Sequence, residues 1–307
     1  MTTKKTTDFD NCSSFFIENG VYQGRLIRLH DVVNTIINKH KYPTPIAAVV
    51  AETTVLAAML ASQLKYDGLF TLQIQSNGVI NLVVVDVTSD GKIRACARYN
   101  EERLKQAQKL RKTDGQIEAA PHLLGGGTLA FTVDQGSNTE LYQGIVDLQG
   151  KNLTECALRY FKQSEQIDTD IKLFLKTPTK ESPSWLAAGI MLQKMPSAGS
   201  NLTTEEQTET WNEAKIFMQS LHENEVFDAS LTSEEILHRL FHGNHLNIST
   251  SKEYSFGCRC SREKLLNTLQ TFSPEEITQM VENNQIRATC HFCNEEYVFT
   301  PGELHKQ

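Results

Sequence analysis

Four of the seven cysteines crowd into the last fifty residues as two close pairs, Cys258-Arg259-Cys260 and Cys290-His291-Phe292-Cys293. Two tight dithiol pairs separated by a helix-sized insert supply the ligands of a tetrahedral thiolate zinc site. The second pair has the usual two-residue knuckle spacing, whereas a single residue separates the first. A unit of about 50 residues with few large apolar groups is near the limit of what a core alone stabilises. Structural zinc contributes on the order of 10–16 kcal/mol in small zinc-finger peptides. One zinc ion is therefore expected to be the main support of the tail, held by Cys258, Cys260, Cys290 and Cys293.

Ligand thiolates remain nucleophilic toward oxidants. Arg259 and an expected helix start beside Cys258 and Cys260 add positive charge, which favours thiolate. Each pair is close enough in sequence to close a local disulfide, and a disulfide sulfur is a poor zinc ligand. Spacing alone leaves two outcomes open: a permanent structural ribbon, or a site that loses its metal on oxidation. His291 lies inside the knuckle, but four sulfurs already fill a tetrahedron. His238, His242 and His245 share helical spacing and read as a solvated face. Cys12, Cys96 and Cys156 are scattered and read as ordinary buried thiols.

The charge distribution marks a second feature. Between Asn201 and Gly257 there are three Lys or Arg against ten Asp or Glu, a net of −7 that equals the net charge of the whole chain. A nucleic-acid reader needs a basic stripe to engage phosphates, and the tail, with five basic and seven acidic residues, has none. Met1 to Asp10 is polar with no apolar leader after it, so a reducing cytoplasm is the expected setting. Ile46 to Leu60 is the longest apolar stretch, but Glu52 interrupts it. It is shorter than the roughly 18–20 apolar residues of a membrane span, so a buried helix is expected and no membrane partner.

Along the chain, Thr44 and Pro45 read as N-cap and first helical residue of a helix to about Leu64. A meander follows: Phe70, Leu72 and Ile74 alternate, Asn77-Gly78 turns, Val79 to Val87 runs apolar, and Asp90-Gly91 turns back into Lys92 to Arg98. Glu101 to Lys112 reads as a solvated helix or loop. Gly125-Gly126-Gly127 lacks a Walker lysine and reads as a turn before the hairpin Thr128 to Asp134 and Glu140 to Leu148. Asn152 opens a helix through about Gln163, and strands at Ile171 to Lys176 and Trp185 to Gln193 complete the domain. Pro196 to Ser200 reads as its boundary. Thr203 or Thr204, and Thr232 with Glu235, cap two helices with apolar faces in the acidic segment. Those faces must bury against something, either permanently or conditionally, since a charge of −7 favours extension. Ser261 and Ser273 cap two tail helices, and Gln285 to Thr289 and Tyr297 to Phe299 flank the knuckle as strands. The expected fold class is α+β. A largely antiparallel-sheet domain (1–196) with packed helices is followed by an acidic helical linker (197–250) and a small zinc-binding domain (251–307).

The chain shows no nucleophile elbow, zincin motif or dinucleotide fingerprint, and a fully sulfur-ligated zinc offers substrate no open position. No enzymatic activity is expected. A zinc-ribbon adaptor for RNA or a protein partner is one alternative function. A thiol–disulfide oxidoreductase is another, suggested by the Cys-x-x-Cys but without a thioredoxin-like context.

Phe256-Gly257-Cys258-Arg259-Cys260-Ser261-Arg262-Glu263, Cys290-His291-Phe292-Cys293 and Tyr297-Val298-Phe299 resemble the redox-regulated bacterial heat-shock holdases, the thirty-three-kilodalton chaperonin family. Leu64-Lys65-Tyr66-Asp67-Gly68, Tyr142-Gln143-Gly144-Ile145-Val146, Tyr160-Phe161 with Ser164-Glu165-Gln166, and Ala187-Ala188-Gly189 before Met191-Leu192-Gln193 extend the resemblance over nearly the whole chain. It implies an ATP-independent chaperone whose reduced, zinc-bound form is inactive. Oxidation then joins Cys258 with Cys260 and Cys290 with Cys293, releases zinc, and unfolds switch and linker. The exposed surface holds unfolding clients under oxidative and heat stress, and active forms dimerise. The scattered cysteines and the charged stretch from Glu101 to Lys112 depart from the family pattern.

Overall fold

The structure, a computed structural model, describes residues 8–110, 121–136, 141–149, 152–195, 203–249 and 251–304. The boundary read at Pro196 to Ser200 lies outside the described residues. Contacts divide the chain into two compact units, Met1–Phe256 and Gly257–Gln307. The architecture is mixed α+β with antiparallel sheets, as the sequence patterns predict.

The first unit begins with strands β1 (Asn11–Ile17) and β2 (Tyr22–Leu29) and helices α1 (Asp31–His40) and α2 (Thr44–Ala61). Strands β3 (Leu69–Ser76), β4 (Ile80–Thr88) and β5 (Lys92–Tyr99), helices α3 (Glu101–Leu110) and α4 (Pro121–Leu124), and strands β6 (Gly127–Asp134) and β7 (Tyr142–Asp147) follow. Helix α5 (Leu153–Tyr160) runs into a π-helical turn at Phe161–Glu165 before strands β8 (Thr169–Lys176) and β9 (Leu186–Lys194). The acidic segment forms α6 (Thr204–Ser220), α7 (Glu223–Val226) and α8 (Ser233–Phe241). It closes through the short strands β10 (Asn247–Ile248), β11 (Lys252–Glu253) and β12 (Ser255–Phe256).

Among the described residues these strands make two six-stranded sheets. One runs β10-β1-β2-β9-β8, with β11 also on β1, and the other runs β12-β5-β4-β3-β6-β7. Period-two alternation builds the second sheet. Phe70 pairs with Val87 and Val133, Leu72 with Val85 and Phe131, and Ile74 with Val83 and Leu129, so one face is continuously apolar. Asp90-Gly91 turns as expected, with Gly91 at φ 85°. The glycine triplet is a turn as well, Gly125 at φ 65° and Gly127 opening β6.

Helix α2 packs against strands of both sheets, and its burial pattern shows it, with 15 of 18 residues buried. A helix apolar all round belongs inside a core. By length and hydropathy it also passes for a membrane span, but 83% of it is buried within the fold. Its start differs from the expectation. Pro43, extended at ψ 144°, precedes the helix and lends its carbonyl to Ala47 at 3.0 Å, so Thr44 is already helical. Glu52 is the one acid on this helix, and burial pushes its carboxyl up to about 7.

Strands β2 and β9 are covered on both faces, and β9 accordingly reads as a near-continuous apolar run. Ile27, Leu29, Ala187 and Met191 face the α2 core. Tyr22, Leu26, Ala188, Ile190 and Leu192 face the acidic helices, packing with Ala214, Met218, Leu221, Ile236, Leu237 and Phe241. Cys12, Cys96 and Cys156 are buried and lie outside the tail cluster, as expected.

The second unit holds α9 (Arg262–Leu269), α10 (Pro274–Met280), the hairpin β13 (Ile286–Thr289) and β14 (Glu296–Phe299), and α11 (Pro301–Leu304). Ser261 and Ser273 cap the first two of these helices, accepting from Lys264 and Glu276 amides. Only five side chains, Leu269, Ile277, Ile286, Phe299 and Leu304, form its buried cluster.

Candidate metal centre and the seat of the acidic helices

Cys258 and Cys260 lie on the extended approach to α9, and Cys290 and Cys293 on the loop of the β13–β14 hairpin. The loop is built by local hydrogen bonds: Cys290 donates to Glu295 O at 2.9 Å and Asn294 donates to Cys290 O at 2.8 Å, with Asn294 at φ 57°. Asparagine tolerates that left-handed conformation better than most residues. The fold of the hairpin turns the two knuckle sulfurs toward the other pair. Cys258 Sγ is 3.7 Å from Cys290 Sγ, and Cys260 Sγ is 3.4 Å from Cys293 Sγ. All four sulfurs lie within 4.8 Å of one another.

This spacing fits a metal. Sulfur ligands at about 2.3 Å from a tetrahedral centre stand about 3.8 Å apart. The electrostatics lead the same way. Burial pushes the Cys260 thiol up; the Cys258 and Cys290 sulfurs add to the rise, while hydrogen bonds with Tyr297 and Cys293 oppose it. Burial likewise pushes the Cys293 thiol up, against a hydrogen bond to the Glu295 backbone. Tyr297 Oη, 3.4 Å from Cys260 Sγ, is itself pushed up to about 12 by that sulfur. The expected help from Arg259 and the helix start therefore does not outweigh burial for Cys260. A bound cation would compensate the charge that burial disfavours on Cys260 and Cys293. The cluster could hold one metal ion on Cys258, Cys260, Cys290 and Cys293.

Among the described residues no histidine joins this cluster. His291 is exposed in the loop and is not among its members. His238 lies 3.7 Å from Glu234, while α8 ends at Phe241 and His245 adopts φ 49°, so the three linker histidines do not share a helical face. One other acidic group, Asp10 with His30 and Asp31, has a structural account. The Asp10 carboxylate accepts from the His30, Asp31 and Val32 amides and caps α1.

A second set of groups escaped the sequence reading. Arg28, on the same face of β2 as Tyr22 and Leu26, is fully buried. Its guanidinium donates to the carbonyls of Val226 at 2.9 Å, Asp228 at 2.7 Å and Leu231 at 2.8 Å, and it stacks 4.2 Å over the Phe9 ring. Tyr22 donates to Gln207 O at 2.7 Å, and Lys172 Nζ donates to Gln219 O at 2.6 Å and Leu221 O at 2.9 Å, closing the end of α6. Of the two candidates Thr203 and Thr204, Thr203 is the cap, boxed with Glu206, and Thr232 with Glu235 caps as expected. Arg28, set between Ile27 and Leu29, was the one available clue, since a buried cation must find acceptors.

Comparison with known proteins places this geometry in a family. A family model described as Hsp33 protein matches residues 10–300. A 33 kDa chaperonin of Caulobacter vibrioides is 33% identical over 295 residues, covering 95% of each chain. One of Pseudomonas fluorescens is 33% identical over 306 residues, covering 99% of this chain and 94% of its own. The crystal structure of a 33 kDa chaperonin from Thermotoga maritima superposes with a TM-score of 0.78 at 21% identity over 96% of both chains, a likeness of fold. With the match running from the first sheet through the cysteine cluster, the chain belongs to the Hsp33 family of chaperones.

Proposed function

We propose that this protein is a redox-regulated, ATP-independent holdase whose tail responds to oxidants in a reducing cytoplasm. The observation that carries this reading is the sulfur cluster itself: four thiols from two segments within 4.8 Å, in a unit whose buried cluster has five side chains. Zinc bound there would fix the four sulfurs as thiolates and supply the support that so small a core lacks. Cys258 with Cys260, and Cys290 with Cys293, are the pairs assigned to oxidation. In each, two thiolates lose two electrons and join through a new S–S bond. A peroxide takes both electrons as its O–O bond breaks and, with two protons, leaves as two waters or as one water and an alcohol.

Residues 258–304 then lose their ligand set. The acidic linker, assigned to 197–250, follows because it carries the chain's net acidic excess and is held by one apolar seam and the hydrogen bonds of Arg28, Tyr22 and Lys172. Releasing them uncovers Tyr22, Leu26, Ile190 and Leu192, an apolar surface suited to unfolded polypeptides. Exposed surface of that kind also favours dimers of the oxidised form. The domain limits, the site residues and the client class are all part of this proposal.

The experiment is peroxide with mild heat on the reduced, zinc-loaded chain. About one zinc per chain is expected to reach a colorimetric chelator, and the treated protein is expected to suppress light scattering from a thermally unfolding client. Zinc release without suppression would overturn the chaperone switch, and suppression that is equal before treatment would overturn the regulation.

A further inference from the structure

Among the described residues the chain makes one π-helical turn, Phe161–Glu165, where α5 ends. The Gln166 and Ile167 amides both donate to Phe161 O, the second at 3.1 Å, and Gln166 sits at φ 55°. Widened turns of this kind are rare and recur at functional sites. This one brings Phe161 and Glu165 to the same cavity, of about 250 Å³, whose walls also come from both sheets, Gln23 from one and Phe70 and Phe131 from the other.

The wall is aromatic and carries a single charge. Tyr142 and Tyr160 complete a set of five rings, and Glu165 is the one charged residue in the lining. The rings are locked edge to face, Phe131 on Tyr160 at 4.4 Å and 89°, and Tyr160 on Phe161 at 5.6 Å and 70°. A Cβ at Gly144 would stand 2.3 Å from Phe131 Cζ and 2.7 Å from Tyr160 Cε2, so glycine lets β7 lie against them. The Tyr142 and Tyr160 hydroxyls each give their single proton to Glu165 Oε1. Among the described residues Oε2 is left without a partner, and no basic side chain pairs with the carboxylate. A structural tie between β7 and α5 would need the tyrosines and Oε1 alone. The open volume and the spare oxygen are what such a tie does not use. Arg25, a buried cation on β2, is outside the wall; it donates to Gly24 O at 2.8 Å and to the Gln23 amide oxygen at 2.7 Å.

We propose that this cavity binds a small organic cation, an ammonium group on an aromatic or branched alkyl body. An apolar cavity of about 150 Å³ holds benzene, so this one has room for about ten heavy atoms. Ring faces attract ammonium groups through their quadrupoles as well as burying apolar area. Glu165 Oε2 then selects a cation over an anion of the same shape, and a neutral guest would desolvate that oxygen without compensating it. A metal ion is a poor occupant, because hard cations take six or more oxygen ligands and the rings offer none. The site lies wholly within the first unit and does not rest on the proposed redox function.

The probe is benzyltrimethylammonium, titrated by ligand-observed NMR against the reduced, zinc-loaded full chain. Its neutral counterpart dimethyl benzyl carbinol and the anion phenylacetate are titrated beside it. One saturable site per chain is expected for the cation, with the other two at least about tenfold weaker. Glu165→Gln keeps an acceptor for both tyrosines and is expected to weaken the cation about tenfold while leaving the carbinol unchanged, which shows the cavity intact. Gln63 also lines the cavity, and its amide nitrogen meets only Met191 Sδ, at 3.2 Å. Gln63→Lys is therefore expected to weaken the cation and to favour phenylacetate without disturbing the tyrosine pair. Absence of saturable binding, equal affinity for the carbinol or for phenylacetate, or cation binding that neither variant changes overturns the proposal.

Discussion

Arg28 has no exposed surface, and its guanidinium serves three backbone carbonyls lying between 198 and 203 residues further along the chain. Burial pulls its pKa down, while Asp8 and Asp228 oppose the shift. A desolvated cation costs several kcal/mol and persists only with its acceptors in place. Arg28→Met keeps much of the volume and orphans those carbonyls, so a loss of about 2–4 kcal/mol is expected. It should appear as faster hydrogen exchange across 204–241, with β3, β4 and β6 unchanged. Uniform acceleration would mean that Arg28 serves the central core instead. The contrast with the cysteines shows what a sequence discloses at this scale. Cys258, Cys260, Cys290 and Cys293 announce each other because thiol chemistry requires them together. Besides the Asp8 carboxylate at 3.5 Å, the partners of Arg28 are carbonyls, which every residue owns, so nothing in the letters at 226, 228 or 231 points back to it.

Among the elements, the capping boxes at Thr203, Thr232 and Ser273 were legible because each closes within one turn. The hairpins β3–β4–β5 were legible for the same reason, their registers being set by short turns, and β6 and β7 by their alternation. Strands β10, β11 and β12, two residues each, were not, because pairs that short carry no periodicity. Helix α2 was seen as buried, but its start was misplaced by a residue, since proline serves equally before or within a first turn. Its Glu52 gives a test of sign. The folded carboxyl sits at about 7 against an ordinary 4.5, so the folded chain binds a proton that the unfolded chain has released. Stability therefore falls as pH rises from the lower value to the higher, by up to about 3 kcal/mol. Glu52→Gln is expected to flatten that slope in urea titrations, gaining stability at pH 8 and little at pH 4. An unchanged slope would show that Glu52 is solvated.

For the whole molecule, the two units differ sharply in self-sufficiency. The first has a core threaded by α2 between two sheets, and the second has five buried side chains around its cysteines. Chelation of the reduced protein is expected to erase hydrogen-exchange protection over 258–304 and to leave β2, β3 and β9 protected. A tail that stays protected without metal would show that its core suffices. Between the tail and α8 the chain is stitched down: β10 and β11 lie on β1, and β12 runs parallel to β5. Disorder that starts at the cysteines must unpick this stitching in reverse, first from one sheet and then from the other, before it reaches Phe241. If oxidation empties the cysteine cluster as proposed, the hem makes the response a sequence with a latch in the middle: brief exposure is expected to release the metal alone, and only sustained or warmer stress to free the acidic helices.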